Sequence, residues 1–400
     1  RLRTMIEENP HYTVHTFVPD KAYMARREQA FRTAMDERKQ QMSPAALEAV
    51  RTEAAELREL QSKPNTPEDL ATLPRLALAD VPPEPFELPT RTEAVAGRPC
   101  LLTDLFANGV NYIDLAFDLR GLDEDLIDWM PLFAEALTKM GAAGLDYAAL
   151  AEREAACSGG AHAAASAGGR VDDAAHVQPF LSVQIKALDH KLEDMLGVLA
   201  DRVLRADFTD RDRLRDVILQ GKVHRHAHVI PAGSHFAMLH ALRHLSRNGE
   251  LTERFSGIAQ VRHFDRTAER FDDDPEAIVD RLQRIQRFVL ARDRLFASIV
   301  ADEPQQKTIC SWLAGVAGEL GSADVPEASS DFTPEAGTRE AVAAPADVAF
   351  VAAALPALQA DHPDAPALLL LGLQLSFGHL WNELRVKRGA YGAHAGFHPA

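Results

Sequence analysis

The sequence predicts an α+β protein: a mixed or antiparallel sheet with helices on one face, preceded by a helical hairpin. Two observations carry this. Val110–Leu119 alternates apolar and polar side chains, as a half-buried strand does. Long helical stretches then cluster between runs of strands instead of alternating with them singly, which is the pattern of segregated layers. The 400 residues suggest two to three domains.

From the N-terminus, Asn9 to Val18 alternates like a strand and breaks at Pro19. It has no ladder partner nearby, so residues 1–19 are expected to be the terminal strand of a missing upstream domain. The chain opens at Arg1 without a signal peptide, and a processed or excised piece is expected. Residues 20–90 read as a helical hairpin hinge and a Pro-rich linker. Ser43-Pro44 supplies an N-cap followed by proline at the first helical position. Thr66-Pro67 starts a short helix, and Pro74, Pro82, Pro83, Pro85 and Pro89 mark an extended connector.

Residues 91–315 form the main α/β domain. Strands are expected at 110–119, 159–169, 180–188 and 295–300. Helices are expected at 123–139, 146–156, 190–205, 210–228, 233–247 and 275–291. Residues 316–400 read as a linker, rich in Gly, Ser, Ala, Pro and Glu over 318–345, and an incomplete further α/β domain. That domain has a strand at 348–355, an apolar helix at about 364–387 and a strand start at Tyr391–Phe397. The apolar stretch contains Gln374, Ser376 and His379 and starts at Pro363 and Pro366. It reads as a buried core helix rather than a membrane span. Two strands cannot cover such a helix.

Composition excludes several function classes. Asp and Glu number 59 against 43 Lys and Arg, a net charge of −16. A nucleic-acid binder needs a basic face. Cys100, Cys157 and Cys310 are too few and too scattered for a disulfide scaffold or a zinc ribbon, and point to a reducing compartment.

His224 and His228 share a helix face with His226 beside them, and His240 and His244 repeat the spacing. Two such pairs can in principle hold zinc, but a helix-surface histidine cluster is the simpler reading. No H-x-x-E-H helix or its inverse, G-x-S-x-G elbow, P-loop or strand-borne G-x-G-x-x-G occurs. The sharpest local feature runs from Leu380 to Ala393. Gly389 lets a helix end in a left-handed cap, after which the chain reverses and brings Tyr391 back towards Arg385. Lys387 and Arg388 suit the negative end of the helix dipole. A guanidinium and a phenol at such a corner can donate hydrogen bonds to a carbonyl or an oxyanion. An ordinary helix terminus with a capping cation is the alternative.

The corner resembles that of the presequence-protease-like branch of the pitrilysin/insulinase zinc metallopeptidases, a run like R-x-K-G-G-A-Y-G-A in which Arg385 and Tyr391 match and Arg388 replaces glycine. Asn9-Pro10-His11, the run Ile113 to Gly160 and Phe255 to Gln260 are similar too. The resemblance implies duplicated α/β sandwich domains in a two-half clamshell, with this chain as hinge, third domain and start of the fourth. It implies an N-terminal half, carrying zinc on an H-x-x-E-H helix, as partner. It makes the present chain the substrate-enclosing C-terminal half, inactive alone, with Arg385 and Tyr391 on a bound short, unstructured, presequence-like peptide.

If the halves are duplicates, counting back from Gly141 places Leu132-Phe133-Ala134-Glu135-Ala136 where the zinc motif would stand, with both imidazoles gone. This chain is then expected to bind no metal, and zinc belongs to the other half. No membrane or nucleic-acid partner is expected. The compartment would be a bacterial cytoplasm or an organelle matrix. The competing reading is a non-catalytic structural or partner subunit of the same family.

Overall fold

A computed structural model describes residues 2–171, 173, 176–326, 332–335 and 338–398. Residues 327–331 and 336–337 of the expected linker, and the last two residues of the expected final domain, lie outside the described residues. The chain divides into two units, Arg1–Phe86 and Glu87–Ala400.

The first unit holds α1 (Leu2–Ile6), α2 (Tyr23–Gln41), α3 (Pro44–Ser62) and α4 (Pro67–Ala71). Ser43 caps α3, its Oγ accepting the Ala46 N–H at 3.2 Å, with Pro44 at the first helical position. Thr66 and Asp69 close a capping box on α4. Neither α2 nor α3 buries a residue. Residues 9–20 take no strand, contrary to the alternation of their sequence. A strand exists only against a partner that accepts and donates its backbone hydrogen bonds.

The second unit opens with β1 (Thr90–Val95) and β2 (Arg98–Thr103), joined by the two-residue turn Ala96-Gly97, both at positive φ. Such a turn matches the twist of a tight hairpin. Then follow β3 (Val110–Asp118), α5 (Glu124–Ile127), α6 (Met130–Lys139), β4 (Gly141–Ala142), α7 (Tyr147–Cys157), β5 (Ala161–Gly169) and β6 (Val177–Leu188). Next come α8 (Leu192–Arg205), β7 (Ala206–Asp207), α9 (Arg211–Val229), α10 (Gly233–Leu242), α11 (Arg247–Ser256), α12 (Ile258–Arg270) and α13 (Pro275–Val289). β8 (Leu295–Val300), α14 (Glu303–Glu319) and α15 (Ala365–Gln374) complete the series.

The main sheet has the order β1-β2-β8-β3-β6-β5. Only β2 and β8 run parallel, and every other neighbouring pair is antiparallel. The sheet is mixed, and the fold is α+β. Leu115 lies opposite Val183 on β6 and Ala297 on β8. These three belong to one buried core with Phe133, Leu199, Val217, Leu282 and Ile309 from the helices, so the helices cover one face. On the opposite face Asp114 accepts from Ser182 Oγ at 3.1 Å and Gln184 Nε2 at 2.8 Å.

Arg294 is sealed against the sheet beneath the Phe288 ring and donates to the carbonyls of Asp118 (2.9 Å), Arg120 (2.7 Å) and Asp324 (2.6 Å). It thereby fastens the start of the following linker. Further along, Glu340 pairs with Arg243 and lies 3.4 Å from His244 and 3.5 Å from His240. Phe350 packs so closely on Gly233 that a Cβ there would collide with its ring.

Three sequence expectations need correction. Residues 348–355 and 391–397 form no strands, because no neighbouring strand completes their ladder among the described residues. The apolar helix is present, but it is not a core helix. Only Ala365, Gly372 and Ser376 are buried along it, while Leu370 is 68% and Phe377 75% exposed.

Candidate functional site

Beyond α15 the helix continues as a π-helical segment, Leu375–Val386. Its wider turn is seen in the Lys387 N–H, which reaches back to Asn382 O at 3.1 Å. The helix closes with Gly389 N–H on Arg385 O (3.1 Å) and Ala390 N–H on Leu384 O (3.0 Å). Gly389 stands at φ +74°, the left-handed region where a side chain is strained. The chain then turns back on the helix.

The reversal is pinned by Ser376, the buried polar residue inside the apolar stretch. Its Oγ accepts the Ala395 N–H at 2.8 Å and lies 2.8 Å from Gly372 O and 3.1 Å from Ala395 O. Gly372 permits the approach: a Cβ there would meet Ala395 O at 3.1 Å.

This geometry brings Arg385 and Tyr391 together. Arg385 Nη1 donates to Tyr391 O at 2.8 Å. The guanidinium lies 4.3 Å from the Trp381 ring centre and 5.7 Å from that of Tyr391. Trp381, one helical turn before Arg385, is a platform the spacing argument overlooked, although i, i+4 neighbours share a face. Tyr391 is 94% exposed and Arg385 is also exposed. A guanidinium has five N–H donors and a single one is engaged with Tyr391 O, so donors remain for an incoming oxygen.

Glu135, on α6, is placed differently. Leu132 and Ala136, the positions that would hold imidazoles, are fully buried hydrocarbon. Glu135 accepts from Arg225 Nη1 at 2.6 Å and Lys139 Nζ at 2.8 Å. Burial alone would push its carboxyl up. The Arg225 charge and the two bonds outweigh that and hold it below the usual carboxylate range. The Arg225 guanidinium also lies 3.6 Å from the Phe264 ring centre. The segment offers no ligand set, and no cluster of three or more metal-binding side chains exists among the described residues. Zinc does not fit the residues present here.

The histidines are dispersed among other partners. His224 and His228 stack at 4.2 Å, His226 Nε2 meets Asp265 at 2.8 Å, and His240 Nδ1 meets the buried Glu253 at 2.8 Å. His240 and His244 share Glu340, a linker residue that their local sequence could not reveal. No helix among the described residues is long and apolar enough to cross a membrane.

Comparison with known proteins gives the chain a family. The family described as peptidase M-16C associated matches residues 17–266. The chain is 24% identical over 390 residues to "Protein HypA" of Clostridium perfringens, covering 97% of this chain and 40% of that protein. It is 25% identical over 419 residues to the mitochondrial presequence protease of Danio rerio, covering 99% and 40%. It is 24% identical over 404 residues to the chloroplastic/mitochondrial presequence protease 1 of Arabidopsis thaliana, covering 99% and 37%. The chain thus spans about two fifths of the length of these relatives. With more than half of its length matched, the chain belongs to this peptidase-associated family, within the presequence-protease-like branch.

Proposed function

We propose that this chain is the substrate-enclosing C-terminal half of a zinc metalloendopeptidase that degrades short unstructured peptides. The observation that carries the reading is the pairing of Arg385 with Tyr391 at an exposed, glycine-capped helix end. The free guanidinium N–H groups and the phenol would bind a backbone carbonyl of the peptide. They would also stabilise the charge that grows on its oxygen as water attacks. The metal would reside on the N-terminal half, since the α6 counterpart here offers hydrocarbon and an ion-paired glutamate. The acidic surface, at net charge −16, would steer basic peptides such as targeting sequences towards the chain. The compartment would be a bacterial cytoplasm or an organelle matrix.

The test is Arg385→Ala and Tyr391→Phe in the full-length enzyme. Each is expected to lower turnover by about 10²–10³, the usual cost of one such donor, with zinc content unchanged. Undiminished turnover in both variants removes the pair from the site.

A further inference from the structure

We propose that a cavity between α12, α13 and Trp129 binds a small multivalent oxyanion, a compound bearing a phosphate or clustered carboxylates. The cavity holds about 320 Å³ and includes no residue of the Arg385 corner. That volume is at the small end of sites that take metabolite-sized ligands.

Helical spacing assembles one wall. His263, Arg266, Thr267 and Arg270 recur at i, i+3, i+4 and i+7 along α12 and therefore share a face. Arg281 of α13 completes a trio of guanidiniums around the same space. None of the three forms an ion pair with a carboxylate among the described residues. Arginines close by behave otherwise: Arg247 pairs with Glu124, Arg254 with Asp128, and Arg215 with Asp272. Asp273 and Asp274 also line the cavity and offset two of these charges, Asp274 being held at the start of α13, where its Oδ1 accepts the Ala277 N–H at 3.0 Å. The three guanidiniums exceed the two carboxylates by one charge, and their unpaired N–H groups are open to an anion.

A second observation points to a ligand. His263 is only 7% exposed, lines the cavity, and its Nε2 has no hydrogen-bond partner. An orphaned buried polar atom is costly, and an oxygen that reached it through a small shift of the cavity wall would relieve it. The wall is also preorganised. Trp129 meets the His263 ring edge-on at 4.7 Å and carries the Arg281 guanidinium 5.0 Å from its ring centre. Arg281 donates further to Ala277 O at 3.2 Å, so little freedom is left for a ligand to freeze.

Isothermal titration of the 400-residue chain with inorganic phosphate and with citrate tests this, acetate serving as the monovalent control. Saturable binding of phosphate or citrate, with acetate much weaker, is expected, and the tighter of the two identifies the headgroup. Arg266→Ala/Arg270→Ala should weaken that binding by about tenfold or more, the loss of two charge-assisted bonds. Both positions are exposed, and their removal should leave the melting temperature in place. Arg262→Ala, an exposed change on the same helix outside the cavity, should leave binding intact. The proposal is overturned if neither anion binds saturably, or if the double variant binds as tightly as the parent. Since the assay needs no peptidase activity, it fails or succeeds independently of the function proposed for the Arg385 corner.

Discussion

Glu135 Oε1 accepts from Arg225 Nη1 at 2.6 Å across 90 residues of sequence, at the position where a duplicated zinc helix would put its general base. Both side chains are mostly buried, so removing Arg225 leaves the Glu135 carboxylate to Lys139 alone, and removing Glu135 leaves the guanidinium without a carboxylate. Arg225→Ala should destabilise the chain by about 2–3 kcal/mol, and Glu135→Leu/Arg225→Met together by clearly less. The folded carboxyl titrates below its ordinary value of 4.5. Its contribution is therefore complete above that pH and is lost as the pH falls through the depressed folded value. Urea unfolding of the variants at about pH 7 and about pH 4 checks both statements.

His263 carries a second acid sensitivity in a different window. Burial pushes its imidazole down to about 4 from an ordinary 6.5, outweighing the raising influence of Asp128. The ring is neutral in the fold, while the unfolded chain takes up its proton from pH 6.5 downward. Stability is then complete above 6.5 and declines by about 3 kcal/mol as the pH approaches 4. His263→Phe should flatten the dependence of the urea midpoint between about pH 6.5 and 4.5, a range above most carboxylate titrations.

Ser376 and Gly372 hold the turn that carries Arg385 and Tyr391, and under the proposed function they are positioning residues. Ser376→Ala removes the hydroxyl that accepts the Ala395 N–H, and Gly372→Ala pushes a methyl against Ala395 O. In the full-length enzyme each should raise KM more than it lowers kcat, by about fivefold to thirtyfold, a loss of about 1–2 kcal/mol. Ser376→Thr should retain most of the activity. Equal kinetics for parent and Ser376→Ala would detach the corner from catalysis.

The exposed side chains of α15 and its π-helical extension should make the isolated chain self-associate. Leu370 and Phe377 are largely open to water, and continuous apolar surface of this kind promotes association. Sedimentation of the parent should show concentration-dependent association, and Leu370→Glu/Phe377→Glu should shift it to monomer.

The sheet's central strands were legible because their periodicity is a local property. Val110–Asp118 and Leu295–Val300 alternate by themselves, and Ser43-Pro44 and Gly389 mark helix ends through backbone chemistry. What escaped depends on distant partners. β2 begins with Arg98-Pro99 and is a strand because β8 runs beside it. α12 and α14 were not anticipated: α14 contains Gly315 and Gly318, which lower helix preference, and core packing of Ile309, Leu313 and Val316 supplies the difference. Tyr391–Phe397 shows the converse, a strand-like sequence without a neighbour. The Arg385–Tyr391 approach was legible through Gly389, whereas Trp381 and Ser376, which hold it, act through side-chain contacts that spacing alone does not single out.

The fastenings along the linker shorten a leash. Arg294 grips Asp324, Arg243 grips Glu340, and Gly233 receives Phe350, so among the described residues the stretch between Phe350 and Ala365 carries none of these tethers. A tethered group explores a volume set by its free contour, and its local concentration rises as that contour contracts. The Arg385 corner is thereby held within a short radius of α10, and displacing Phe350 from Gly233 would dilute it without altering a single atom of the corner itself.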